Sequence, residues 1–212
     1  MTRKSRKAGM LAAAVAAGLS LGVVAASAAA DTDDHYSPAG TVIKSTSSKV
    51  VVSASGVSLT CTNSSTSGKT PATGLGSFTT SRPTFNDGGL PAKPCTDSLG
   101  GTDTITTSGT WTVGLIDAAN DETAAEPNSG DRVKLIVPKS GVVDHNSFGC
   151  VVTVAPSGPI TVTGVYNDHN KLTVNAKNVP GSISGPTFCH PGTGTASLQA
   201  TYTLSPGLSD AS

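Results

Sequence analysis

The stretch Thr107–Ile116, TSGTWTVGLI, decides how the rest of the chain reads. Thr110, Thr112 and Gly114 alternate with Trp111, Val113 and Leu115, the period-two pattern of a strand with one face in the core and one in water. Trp111 is the chain's single tryptophan. A tryptophan buries on the order of 200 Å², which makes Trp111 the expected main core anchor. Ala200–Leu204, ATYTL, repeats the pattern with Tyr202 in the tryptophan's place. The echo suggests two related halves.

Away from this strand the chain is dominated by Thr, Ser, Val and Gly, and no window sustains the three- and four-residue apolar spacing of a helix. Val42–Lys44, Lys49–Ala54, Val57–Thr62, Thr104–Thr107, Thr110–Ile116, Arg132–Val137, Cys150–Ala155, Ile160–Tyr166, Lys171–Ala176 and Leu198–Leu204 read as strands, each bounded by Gly, Pro, Asn, Asp or Ser. Ile160–Tyr166 and Lys171–Ala176 flank the turn-forming run Asn167-Asp168-His169-Asn170 and predict a hairpin. The expected fold is all-β, a single β-sandwich of about ten short strands over residues 41–206. Residues 31–40 read as a flexible N-terminus and 207–212 as a C-terminal tail. Asn63–Pro94 is rich in Gly, Ser, Thr and Pro and reads as a long loop that something must pin. Asp117–Asp131 reads as a solvated acidic divide between the halves.

Met1–Ala30 has the pattern of a signal peptide. Arg3, Lys4, Arg6 and Lys7 precede the uncharged apolar run Met10–Ala26, and Ala28-Ala29-Ala30 fits a cleavage site that would leave Asp31 at the new terminus. An uncleaved anchor is the alternative. Arg3 is followed by lysine, so the twin-arginine signature is missing and general secretion is expected. The leader takes four of the fourteen basic residues and none of the fourteen acids, leaving the mature chain at about −4. That charge disfavours nucleic acid as a partner, and no later apolar run approaches the roughly twenty residues of a membrane span.

Cys61, Cys95, Cys150 and Cys189 all follow the leader, and export would place them in an oxidising space. Of three possible connectivities, Cys61 with Cys95 and Cys150 with Cys189 is favoured, because each would staple its own half. Closing a loop of that length stabilises by roughly 4 kcal/mol on the chain-entropy model. Pro83-Thr84-Phe85 before Cys95 is echoed by Pro186-Thr187-Phe188 before Cys189, a second hint of duplication. The halves are expected to share one core, since neither carries enough large apolar residues for its own.

Familiar chemistries fit poorly. The cysteines lack C-x-x-C spacing and no two histidines stand four apart, so a metal site is not expected and no cofactor is called for. Asp31, Asp33, Asp34 and His35 read as a disordered new terminus in preference to a weak cation site, and Asp117, Asp121, Glu122, Glu126 and Asp131 depart from the EF-hand pattern and read as a solvated loop. There is no G-x-S-x-G elbow; Gly181-Ser182-Ile183-Ser184-Gly185 has isoleucine at its centre. His145, beside Asp144 and before Ser147, is the most suggestive cluster. Yet neighbours on an extended chain point to opposite faces, so Asp144 would not orient His145, and a turn is the expected structure there. His169 is expected in a hairpin turn and His190 at a stapled bend, the latter a spare candidate. Both glutamates of the chain, Glu122 and Glu126, lie in the acidic loop, which suits no glycosidase pair. Sugar stacking would have to use exposed Tyr36 or Phe78.

The run GVSLTC (Gly56–Cys61), the SGTW strand (Ser108–Trp111), GCVVTV (Gly149–Val154), GVYNDHNKLTV (Gly164–Val174) and the final ATYTL, behind a signal peptide, resemble a group of small secreted actinomycete four-cysteine β-proteins. The resemblance covers most of the mature chain. It implies an extracellular protein of largely uncharacterised role, some similar proteins carrying a sterol-esterase label, and it assigns no catalytic residue. The leading expectation is a secreted, disulfide-stapled protein of structural or binding type, with a cell-surface component or a small apolar ligand as partner. A lipid or sterol ester hydrolase using Ser147 with His145 or His190 is the second expectation, and a binder with an apolar cleft is the third.

Overall fold

The computed structural model describes residues 36–73, 76–88, 93–115, 132–167 and 170–210. The leader, the Asp31–His35 cluster, the Asp117–Asp131 stretch and His169 lie outside them.

Among the described residues, eight long strands follow one another. β1 is Val42–Ser47 with Val50–Ala54; β2 is Val57–Cys61 with Asn63–Lys69; β3 is made of three pieces, Ser77–Thr80, Thr84–Asn86 and Cys95–Asp97. β4 is Thr102–Thr107 with Trp111–Leu115, β5 is Arg132–Val137 with Val142–Asn146, and β6 is Val151–Val154 with Ile160–Asn167. β7, Lys171–Ser184, and β8, Gly192–Ser205, are the longest single strands, β7 carrying a bulge between Ala176 and Val179. Each strand pairs antiparallel with the next, β1 with β2 through to β7 with β8. β8 then returns to β1, Thr203 opposite Thr46 and Ala200 opposite Val50. The sheet therefore closes on itself as an up-and-down barrel, an arrangement that leaves no free edge. The all-β, two-disulfide architecture expected from the sequence is present, and the two packed layers of the expected sandwich are opposite walls of this one closed sheet.

The alternation that betrays the strands also builds the wall. Along β6, Val162, Gly164 and Tyr166 are buried while Thr161, Thr163, Val165 and Asn167 are exposed. The β1–β2 turn is made by Ser55 (φ 49°) and Gly56 (φ 81°), two central residues at positive φ, as the twist of a two-residue hairpin demands. β4 is interrupted at Gly109 (φ 72°), where a Cβ would lie 2.7 Å from the Pro138 ring in the matching break of β5.

Each of the ten expected strands overlaps an observed one, with Lys49, Thr62, Thr110, Cys150 and Ala155 falling just outside and Ile116 beyond the described residues, but the barrel contains more. Asn63–Pro94, read as a loop, supplies the second half of β2 and all of β3 down to Cys95. Its polar residues face inward because aromatic rings fill the space in front of them: Ser64 is fully buried with its hydroxyl 3.0 Å from the Tyr202 hydroxyl, and a Cβ on Gly68 would stand 2.7 Å from the Phe78 ring. Val142–Asn146 is likewise a strand, so His145 stands in β5 and not in the expected turn. Cys61 bonds Cys95 across β2 and β3, and Cys150 bonds Cys189. The four-strand halves β1–β4 and β5–β8 place Trp111 late in β4 and Tyr202 late in β8.

Three clusters fill the interior: Val50, Leu59, Cys61, Cys95 and Ala200 toward one end; Trp111, Val137, Val162 and Val174 in the middle; Ile43, Val133, Tyr166 and Leu204 toward the other. Leu208, from the segment read as a tail, packs on the last of these, its N–H donating to the Tyr166 hydroxyl at 2.8 Å. Beyond it Ser209–Asp210 pairs with Tyr36–Ser37 in a short separate ribbon. Among the described residues no helix is long and apolar enough to cross a membrane.

Candidate functional site

In an up-and-down barrel alternate connections lie at the same end. The Ser55–Gly56 turn, the β3–β4 turn around Leu99, the β5–β6 turn around Phe148 and the β7–β8 connection with Phe188 therefore gather at one end, the upper end. Leu99, Phe148 and Phe188 are all exposed large apolar residues, and all three line a cavity of about 290 Å³ that runs down inside the barrel. The cavity thus reaches the surface at this end. Cys150–Cys189 ties the turn that carries Phe148 to the connection that carries Phe188. Leu208 and the Tyr166 hydroxyl cover the opposite end.

Below the rim the wall carries a layer of acids. Asp97 ends β3, Asp103 begins β4, and Asp144 and Asn146 end β5; all four line the cavity. Asp97 is committed to its turn, Oδ1 accepting from the N–H groups of Leu99 (2.7 Å) and Gly101 (2.8 Å) and Oδ2 accepting from Asn146 Nδ2. Asn146, opposite Asp103 in the ladder, also donates Nδ2 to Asp103 Oδ1 at 3.1 Å. Asp103 Oδ2 and Asp144 Oδ1 are buried and receive no hydrogen bond from any N–H or hydroxyl of the other residues; the two carboxyls hydrogen-bond each other. Asp103 is 3% exposed, a degree of burial that charged residues normally reach only when paired. Burial first, and then the charge of Asp103, push the Asp144 carboxyl up to about 8; burial is also the main cause that raises Asp103. Two carboxyls forced into one desolvated site do not both ionise readily, so near neutral pH the Asp144 carboxyl holds a proton that it shares with Asp103.

Beneath the acids the lining is almost wholly apolar, with Ile105, Trp111, Leu135, Val162, Val174 and Leu198 around it. Trp111 is held by its indole N–H, which donates to the Ser108 carbonyl at 3.0 Å. Tyr202, the other anchor expected from the sequence, lines the cavity with its hydroxyl turned to Ser64. A volume of this size holds about ten water-sized groups and lies near the lower bound of small-molecule pockets.

The catalytic candidates do not converge. His145 is exposed on the outer face of β5, with Asp144 on the inner face, as the alternation requires. The Ser147 hydroxyl accepts the Thr102 N–H at 3.0 Å and so bridges two turns. His190 follows the short 3-10 turn Thr187–Cys189 at φ 52°, the stapled bend that was expected, and lines the mouth. Among the described residues no group of three or more His, Cys, Asp or Glu is arranged to hold a metal ion. The acid layer escaped the sequence reading. Its signal was parity: Asp103 shares the inward register of Ile105, and Asp144 and Asn146 share that of Val142, so each puts a polar group at a core position.

The chain matches no known protein family, no curated protein and no solved structure.

Proposed function

We propose that the protein is exported and that it binds one small, largely apolar molecule inside the barrel. The observation that carries this reading is the cavity: enclosed by a closed sheet, lined with aliphatic and aromatic side chains, and reaching the surface between Leu99, Phe148 and Phe188. Eight strands make a barrel just wide enough to be filled by side chains or to hold one small ligand, and small inward residues such as Ala54, Gly164 and Ala196 leave the room here.

Export is supported by the N-terminal pattern and by two disulfides of the kind that persist in oxidising compartments. The outer wall is polar, with Lys44 and Thr46 on β1, Thr161 and Thr163 on β6, and Thr201 and Thr203 on β8, the reverse of the apolar band of a bilayer-spanning barrel. The same features agree with the resemblance to small secreted actinomycete proteins. The ester-hydrolase reading gains nothing from the geometry, because Ser147 is spent on Thr102 and His145 faces outward.

The test is displacement of a neutral fluorescent probe, N-phenyl-1-naphthylamine, from the mature protein. Saturable one-to-one binding, lost in a folded Ala54→Phe variant that fills the mouth, supports the reading. Absence of binding in folded protein with both disulfides formed refutes it. N-terminal sequencing of the exported chain tests the start at Asp31.

A further inference from the structure

We propose that the open end of the barrel docks on the surface of an uncharged lipid layer, with Leu99, Phe148 and Phe188 seated among the lipid chains and the mouth of the cavity facing the apolar phase. Docking of this rim goes beyond the binding of a molecule inside the barrel and is tested apart from it.

The rim is braced at each joint. The β3–β4 turn is tied to the first hairpin, the Ser98 N–H donating to the Ser58 carbonyl at 2.8 Å and the Ser58 N–H to the Ser98 hydroxyl at 3.1 Å. On its other side the Thr102 N–H donates to Ser147 Oγ, and a Cβ on Gly101 would stand 2.7 Å from the Phe148 ring, so the β5–β6 turn lies directly against it. The Cys150–Cys189 bond fastens the β7–β8 connection to that same turn, where a Cβ on Gly185 would stand 2.6 Å from the Gly149 carbonyl oxygen. Leu99, Phe148 and Phe188 are therefore presented on one continuous arc, 66%, 47% and 63% exposed. Exposed apolar residues scattered singly are ordinary, but three gathered around one opening form a patch.

Area and charge select what covers it. With about 200 Å² for a large side chain, the arc offers roughly 300 Å², well short of the ~800 Å² per partner of a standard protein interface. A second copy or another folded protein finds too little to hold. A fluid lipid layer needs no matching shape, because each side chain enters on its own and apolar burial alone supplies the binding. The connections 55–56, 98–101, 147–149 and 185–191 contain no lysine, arginine, aspartate or glutamate, and His190 is the one titratable side chain among them. Asp97, at the foot of one turn, has its carboxylate bound to that turn's own N–H groups. Nothing strongly charged has to leave water, and nothing cationic seeks anionic headgroups. The cavity opens between the same three side chains, so an apolar occupant passes between layer and barrel without crossing water.

The test is flotation of the disulfide-bonded mature protein with vesicles of dioleoylphosphatidylcholine, with and without added dioleoylphosphatidylglycerol, at low and at high salt. The expected result is co-flotation with the neutral vesicles, changed less than about twofold by anionic lipid or salt, and a partition at least about tenfold weaker in Leu99→Ser, Phe188→Ser. Both of these positions are exposed, so the variant alters the contact and not the core. Val42→Ser, Val165→Ser, which removes exposed apolar side chains from the outer wall, is expected to float as the wild type does. Protein left behind by neutral vesicles, flotation that needs anionic lipid and is lost in high salt, or flotation unchanged in Leu99→Ser, Phe188→Ser would each overturn the proposal. A concentration-dependent dimer in sedimentation velocity, abolished by the same variant and with no flotation, would give the rim to a second copy and overturn it too. Probe binding inside the barrel is measured without lipid and stands or falls separately.

Discussion

Asp103 and Asn146 face each other across β4 and β5, and the Asn146 amide donates to Asp103 Oδ1 at 3.1 Å while also donating to Asp97 Oδ2. One side chain thus holds two carboxylates apart and in place. Replacing it with leucine removes both donors and leaves Asp103 Oδ1, on a buried side chain, and Asp97 Oδ2, on a half-buried one, without that partner. Asn146→Leu is expected to destabilise the protein by about 2–4 kcal/mol, since a buried group stripped of its partner costs about 1–3 kcal/mol and a charged one more. Urea unfolding followed by far-ultraviolet circular dichroism measures it.

Asp144 makes stability fall as pH rises. Its carboxyl titrates near the ordinary 3.8 when unfolded and is raised to about 8 in the barrel, first by burial and then by Asp103. Between these values the folded state holds more protons than the unfolded one. The stability this group contributes is therefore complete below the unfolded value and lost as pH climbs through the folded one. A full proton difference corresponds to about 1.4 kcal/mol per pH unit. The melting temperature of the wild-type protein should fall between pH 5 and pH 8 relative to that of Asp144→Asn. A difference that stays constant across the range would contradict the account.

Cys150 and Cys189 lie 39 residues apart and join the two connections that carry Phe148 and Phe188. Loop-closure entropy puts such a bond at about 4 kcal/mol, with measured values commonly 2–5 kcal/mol. The double variant Cys150→Ser, Cys189→Ser is expected to lose stability in that range and to release bound probe faster, because the mouth is no longer tied. Stopped-flow dissociation of N-phenyl-1-naphthylamine reads the second effect.

Trp111, 3% exposed and lining the cavity, is an internal reporter as well as an anchor. Its emission should be that of a buried indole and should respond to octan-1-ol with the same saturation curve as probe displacement. Trp111→Ala should cost about 3–5 kcal/mol, the range for emptying a large aromatic site, and should enlarge the space available to ligand.

Much of this was readable from local pattern. Strands such as Ile160–Asn167 announce themselves, because Val162 and Tyr166 alternate with Thr161, Thr163 and Asn167 and because turn residues bound them. The four cysteines paired as their spacing within each half suggested. Closure of the sheet was not legible, since Thr203 opposite Thr46 joins segments more than 150 residues apart and no local signal records such a register. The second half of β2 was missed for a different reason: Ser64 and Thr66 have turn-like composition, and what makes them strand is the aromatic side chains placed over them by distant parts of the chain. The acid layer lay in between. Asp103 two residues before Ile105 is a polar group on a core face, visible once the face is known and silent while Thr102–Thr107 is read as one more threonine-rich strand.

The most direct test of ligand binding inside the barrel is a methyl NMR titration of the mature, disulfide-bonded protein with octan-1-ol. The account predicts that the methyl signals of Leu135, Val162, Val174 and Leu198, all on the cavity wall, shift together to one saturation point while those of the outward Val42 and Val165 stay still. Stationary wall methyls, or shifts confined to the outward pair, would contradict it.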